Sequence, residues 1–175
     1  MDGLSRRLTE GDAGAFAELY DVLADRLHHY LVSRLGTRPD ADDVLQETFI
    51  RLARDRENLG KVENVTAFAF VIARNEANRW LNIRRRRGEV MTASAAALFR
   101  EAHSDDRESR EAAEAVVQAL TSLEPADREI VELKAYAGLT FREISEVLGR
   151  PLGTVAARYR VALDRMRARL AKERS

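Results

Sequence analysis

The 175-residue chain contains no cysteine, which removes disulfides and thiolate metal centres from consideration and suits a reducing compartment. No apolar run approaches the roughly 20 residues that a membrane-spanning helix needs. The opening MDGLSRRLTEGD lacks the apolar core of a signal peptide, so a cytoplasmic protein without membrane insertion is expected. Three prolines and nine glycines leave few breaks, and Ala, Leu, Arg and Glu dominate, which predicts an all-α chain. Of the three histidines, His28 and His29 are neighbours and would point about 100° apart on a helix, a poor ligand pair; His103 is isolated. No Ser/His/Asp arrangement, metal-ligand spacing or phosphate-cradling glycine loop is present. These absences predict a protein that is not an enzyme and holds no cofactor or metal.

Net charge is also absent, being zero, which argues against a protein that merely coats DNA. The distribution is informative instead. Residues 1–60 carry eight Arg against twelve acids, net −4, and residues 61–90 carry seven Lys/Arg against three Glu, net +4. Residues 99–130 carry four Arg against nine acids, net −5, and residues 150–175 carry eight Lys/Arg against two acids, net +6. Two basic blocks separated by acidic ones suit contact with nucleic acid at two places and with another partner through the acidic faces.

In chain order, a short helix at Leu4–Leu8 precedes a longer one capped by Asp12, with Phe16, Leu19, Tyr20, Leu23, Leu27, Tyr30 and Leu31 on its buried side. After Gly36–Pro39, Asp40 or Asp42 is expected to start a third helix. Leu45, Phe49 and Leu52 mark its core side, while Asp43, Gln46, Glu47 and Ile50 form an outer strip of mixed character. That strip is either a solvated face or a docking surface. NLGKVENV (58–65) reads as a polar loop. TAFAFVIARNEANRWLNIRRRR follows, apolar at first, then carrying Asn75, Arg79, Trp80, Arg84 and Arg85. Amides, an indole and guanidinium groups suit unpaired nucleic acid, with bases stacking on Trp80 and arginines neutralising phosphates. The alternative, Trp80 in the core and a plain basic helix end favoured by the macrodipole, stays open.

Residues 88–110 are Ala/Ser-rich and then acidic, and read as a flexible linker. It separates one small helical domain, 1–87, from another, 111–175. The second ends in LTFREISEVLGRPLGTVAARYRVALDRMRARL. Thr140 and Glu143 form a capping box, Gly149 supplies a left-handed stop, and Pro151 prevents continuation. Thr154 is expected to cap a longer helix on which Val155, Tyr159, Ala162, Met166 and Leu170 recur, with Arg158 and Arg160 among its basic residues. A short helix, a glycine turn and a basic second helix make a helix-turn-helix, whose second helix can lie in a DNA major groove.

Taken together, these segments resemble the sigma factors of bacterial RNA polymerase, of the small two-domain group IV (extracytoplasmic-function, ECF) class. DADDVLQETFIRL resembles the segment that holds the clamp helices of the polymerase. TAFAFVIARNEANRWLNIRRRR resembles the helix that opens and reads the −10 element, and residues 123–170 resemble the −35-binding domain. The resemblance implies a promoter-specificity factor that initiates transcription on core RNA polymerase. It implies polymerase contact through Asp43, Gln46, Glu47 and Ile50. It also implies contact with the melted −10 strand through Asn64, Asn75, Arg79, Trp80, Arg84 and Arg85, and with the −35 duplex through Thr154, Ala157, Arg158 and Arg160. Many relatives are held by an anti-sigma factor, so one is a further implied partner. The recognition helix departs from the family pattern: Ala156 and Ala157 stand where a basic residue and Ser are usual. Alanine can meet a thymine methyl but cannot pair with guanine or phosphate. Two other readings compete, a stand-alone helix-turn-helix regulator and a sigma-like adaptor with weakened promoter readout.

Overall fold

A computed structural model describes residues 2–89 and 107–173, and every regular element among them is an α-helix. The N-terminal half holds α1 (Asp2–Thr9), α2 (Ala13–Leu35), α3 (Arg38–Arg54), a single turn α4 (Arg56–Leu59) and α5 (Val65–Arg86). The C-terminal half holds α6 (Arg107–Thr121), α7 (Pro125–Ala135), α8 (Phe141–Leu148) and α9 (Leu152–Glu173). Most of the expected linker, residues 90–106, lies outside the described residues. Helix α6 already begins at Arg107, four residues ahead of the expected domain start.

Local chemistry explains most boundaries. The Asp12 carboxylate accepts from the Gly14 amide at 2.8 Å and starts α2, and Gly36 ends it with φ +82°, a conformation side chains other than glycine rarely adopt. Helix α3 corrects the expected cap. Thr37, not Asp40 or Asp42, caps it by accepting from the Asp40 amide. Pro39 then sits in the first turn, where its missing N–H is no loss. In α8 both halves of the capping box form: Glu143 N donates to Thr140 Oγ1 at 3.2 Å, and Thr140 N donates to Glu143 Oε2 at 2.7 Å. Thr154 does not cap α9. The helix starts at Leu152, and the Pro151 carbonyl already accepts from the Val155 amide at 3.1 Å.

Packing follows the helical stripes. Leu23, Leu27 and Leu31 of α2, Val44 and Leu52 of α3, and Phe70 and Ala73 of α5 are buried together. Tyr20 breaks the expected pattern. It is 49% exposed, with its ring centroid 4.7 Å from that of Phe49 on α3. A second cluster joins Val117 and Leu120 of α6, Val131 of α7, and Ala162 and Met166 of α9.

The two halves meet. Ile130 and Leu133 of α7, Ile144 and Val147 of α8, and Val155 of α9 belong to the same buried cluster as the N-terminal core. Charges thread this seam. Glu129 accepts from two of the guanidinium nitrogens of Arg74, Nε and Nη2, at 2.8 and 3.2 Å. The same carboxylate accepts from the Tyr30 hydroxyl at 3.5 Å and lies 3.5 Å from Arg34. Arg34 also donates to Asn78 at 2.9 Å and stands 3.7 Å from Glu132. Arg26 donates to the Ala137 carbonyl at 2.8 Å. Tyr30 is completely buried, and Glu132 nearly so. Burial pushes the Glu132 carboxyl up to about 7, opposed by Arg34 and Arg128 and reinforced by Glu129. The Glu132 Oε2 and Arg34 Nε atoms are buried without a hydrogen-bond partner, so the seam is electrostatically tight but incompletely satisfied.

Candidate docking groove and nucleic-acid faces

Helices α2 and α3 enclose a groove lined by Phe16, Ala17, Tyr20, Asp42, Asp43, Leu45, Gln46, Phe49, Ile50 and Ala53. Its floor is apolar and its rim acidic and amidic, suited to a helical partner that carries basic residues around an apolar stripe. Asp43, Gln46 and Ile50 are exposed on it. Glu47 lies beside them and is held at 3.4 Å by Arg51, which in turn reaches the nearly buried Glu76 at 2.9 Å. The α2 wall of the groove, Phe16 and Tyr20, escaped sequence reasoning because both were assigned to the core stripe; the signal was an aromatic at the edge of a wide apolar face.

The second half of α5 presents Asn75, Asn78, Arg79, Asn82, Ile83 and Arg86 around one shallow depression. Asn75, Arg79 and Arg85 are exposed. Trp80 leans on the core, half-buried, and the Arg84 guanidinium lies 4.6 Å from the centre of its ring, a cation–π contact. Arg84 is further paired with Asp40 at 3.0 Å and with Glu89, so it braces Trp80 and the α3 start. Asn64 has a backbone role: its Oδ1 accepts from the Ala67 amide at 3.0 Å and caps α5. The structure therefore brings Asn75 and Arg79 together on one open depression, leaves Arg85 exposed outside its lining, and places Trp80, Arg84 and Asn64 in supporting contacts.

On α9, Thr154, Ala157 and Arg160 are exposed. Arg158 is turned inward, its Nε 2.6 Å from Asp127 Oδ1, and Arg165 reaches the other oxygen at 3.4 Å. Asp127, on the first turn of α7, is 5% exposed. Sequence reasoning missed this anchor, which leaves Arg160 as the exposed arginine among the residues expected to meet the −35 duplex.

A family model described as sigma-70 region 2 matches residues 19–87, and one described as sigma-70 region 4 matches residues 113–166. The chain belongs to the sigma-70 family. It is similar to the ECF RNA polymerase sigma factor BldN of Streptomyces coelicolor, 32% identical over 159 residues that make up 89% of this chain and 60% of that protein. It is likewise similar to the ECF sigma factor SigE of Mycolicibacterium smegmatis, 32% identical over 90% of this chain and 62% of that protein. The chain thus spans about three fifths of the length of these two relatives. SigK of Mycobacterium tuberculosis, 25% identical, aligns over 95% of this chain and 91% of its own length. Among solved structures, CnrH in complex with the cytosolic domain of CnrY superposes with a TM-score of 0.70 at 22% identity, covering 98% of this chain and 97% of that one. The sigma factor RpoE of Bartonella quintana, solved with the anti-sigma factor NepR, also gives 0.70, at 20% identity over 89% and 96%. These likenesses show that the sigma fold is shared. The α5 face and, apart from Phe16 and Ala17, the docking groove fall within the region 2 match, and the Arg158–Asp127 pair falls within the region 4 match.

Proposed function

We propose that this sigma-70 family chain is a promoter-specificity factor that seats on core RNA polymerase and directs it to −10 and −35 elements. The observation that carries the reading is the pairing, in one half, of an acid-rimmed apolar groove on α2/α3 with a basic, amide-rich face on α5. One surface suits a protein partner and the other suits melted DNA. The proposed division of labour assigns residues 1–87 to polymerase and the −10 strand, with Asp43, Gln46, Glu47 and Ile50 on the first and Asn75, Arg79 and Arg85 on the second. Residues 111–175 take the −35 duplex. The chain performs no chemistry; phosphodiester formation belongs to the polymerase, and the site of action is the cytoplasm. An anti-sigma factor is a further proposed partner, of the kind bound in the RpoE complex.

Co-purification tests the first half of this reading. Glu47→Lys should abolish retention of the chain on core polymerase with its circular dichroism unchanged; undiminished retention would contradict it. A sigma-like adaptor is the second reading, favoured by the inward turn of Arg158 onto Asp127. Run-off transcription separates the two: discrete start sites support the specificity factor, and an intact complex with none supports the adaptor.

A further inference from the structure

The outward face of α9 carries an unusual set of groups for a helix aimed at DNA. Ala157 and Val161 lie four residues apart and so share one face. Both are exposed, Val161 at 48%. Thr154 stands one turn ahead of Ala157, also exposed. Arg158, a neighbour expected from the sequence to meet the −35 duplex, is withdrawn to Asp127. Asp164, about one turn beyond Val161, carries a carboxylate paired with Arg167 at 3.2 Å. A carboxylate would repel phosphate, so the reading stripe ends before it. Elsewhere in the helix-turn-helix, Arg142 on α8, Arg150 in the turn and Arg160 on α9 are exposed, and each lacks an ion-pair partner among the described residues. The helix-turn-helix therefore combines an exposed apolar strip with three unengaged guanidinium groups, a chemistry complementary to the bases and the phosphate-lined walls of a major groove.

In that groove the one apolar feature that distinguishes base pairs is the thymine C5-methyl group. We infer that Ala157 and Val161 are specificity-determining residues that read thymine methyls in the −35 duplex, while Arg142, Arg150 and Arg160 hold the backbone. The inference rests on the proposed promoter reading, since it concerns which bases α9 reads once it lies in the groove. A guanine-reading helix would keep a long donor at one of these two positions; here the nearest guanidinium braces α7 instead.

The test uses the full-length chain. Short duplexes are selected from a random-sequence library at low salt, and the winners are resynthesised with deoxyuridine in place of each thymidine, which removes only the methyl. Affinity should fall about fourfold for each contacted methyl, the equivalent of about 0.8 kcal/mol. Val161→Asn, at an exposed position, should abolish the thymidine–deoxyuridine difference at one site. Ala157→Arg should redirect selection towards guanine. Arg160→Ala should weaken all duplexes alike, flatten the salt dependence and leave the methyl discrimination intact. Equal binding of deoxyuridine duplexes, or winners without thymine at the discriminated positions, would overturn the inference while leaving the promoter reading standing. Selection of no duplex at all would overturn the inference, and run-off transcription on core polymerase then decides the promoter reading separately.

Discussion

Glu132→Gln is expected to stabilise the protein at neutral pH, although the carboxylate it removes faces an arginine. Glu132 is 3% exposed, and burial moves its carboxyl from 4.5 to about 7. The folded state therefore binds a proton more tightly than the unfolded chain does. Between those two values stability falls as pH rises: the contribution is fully present below about 4.5 and lost above about 7. The gap corresponds to about 3 kcal/mol at about 1.4 kcal/mol per pH unit. Glutamine imitates the protonated carboxyl, so the variant should match the wild type near pH 4.5 and exceed it by up to about 3 kcal/mol at pH 8. With a urea dependence of about 2–3 kcal/mol per molar, the midpoint should rise by about 1 M. Urea titrations followed by far-ultraviolet circular dichroism at pH 5, 6, 7 and 8 measure this. The difference between variant and wild type cancels the histidines. A variant less stable than the wild type at pH 8, or a gap that does not grow with pH, would refute the reasoning. It would mean that the attraction of Arg34, 3.7 Å away, outweighs desolvation.

Three further outcomes are expected. Arg158→Ala should destabilise the C-terminal half by about 2–3 kcal/mol in thermal unfolding, because it strips the closer partner from the buried Asp127. Thr140→Ala should lose about 1 kcal/mol by the same measurement, through loss of the α8 cap. Asn75→Ala, on an exposed position, should impair promoter opening in permanganate footprinting more than it impairs closed-complex binding; equal loss of both steps would point to misfolding.

Much of this architecture was legible because its causes are local. The Thr140–Glu143 box and the Gly149 stop lie within a few residues of what they govern, so spacing alone reveals them. The α3 start was misplaced because Asp40 and Asp42 are good caps in isolation. Thr37 takes the position, while Asp40 pairs with Arg84 from 44 residues away. The same limit applies to the candidate site. Asp43, Gln46, Asn75 and Arg79 sit on outward stripes that periodicity identifies. The inward turn of Arg158 depends on Asp127, 31 residues earlier. Arg158 immediately precedes half-buried Tyr159, at the margin of the buried stripe, where periodicity does not decide which way a long side chain turns. The Arg74–Glu129 contact spans 55 residues across two expected domains, and no periodicity within either reports it.

On the promoter reading proposed above, the seam between the halves also bears on how firmly the protein would grip its DNA. A compact chain of this length has a radius of gyration of about 16 Å. Elements about 25 base pairs apart lie roughly 85 Å from one another along a duplex, at about 3.4 Å per pair. On the proposed promoter reading, no single arrangement with α7 and α8 docked on α2 and α5 reaches both, so the halves must part before both elements are engaged. Apparent affinity for a full promoter then scales with the fraction of molecules that have come undone. Mutations that knit Tyr30, Arg34, Arg74 and Glu129 more firmly should make a sturdier protein and a poorer initiator.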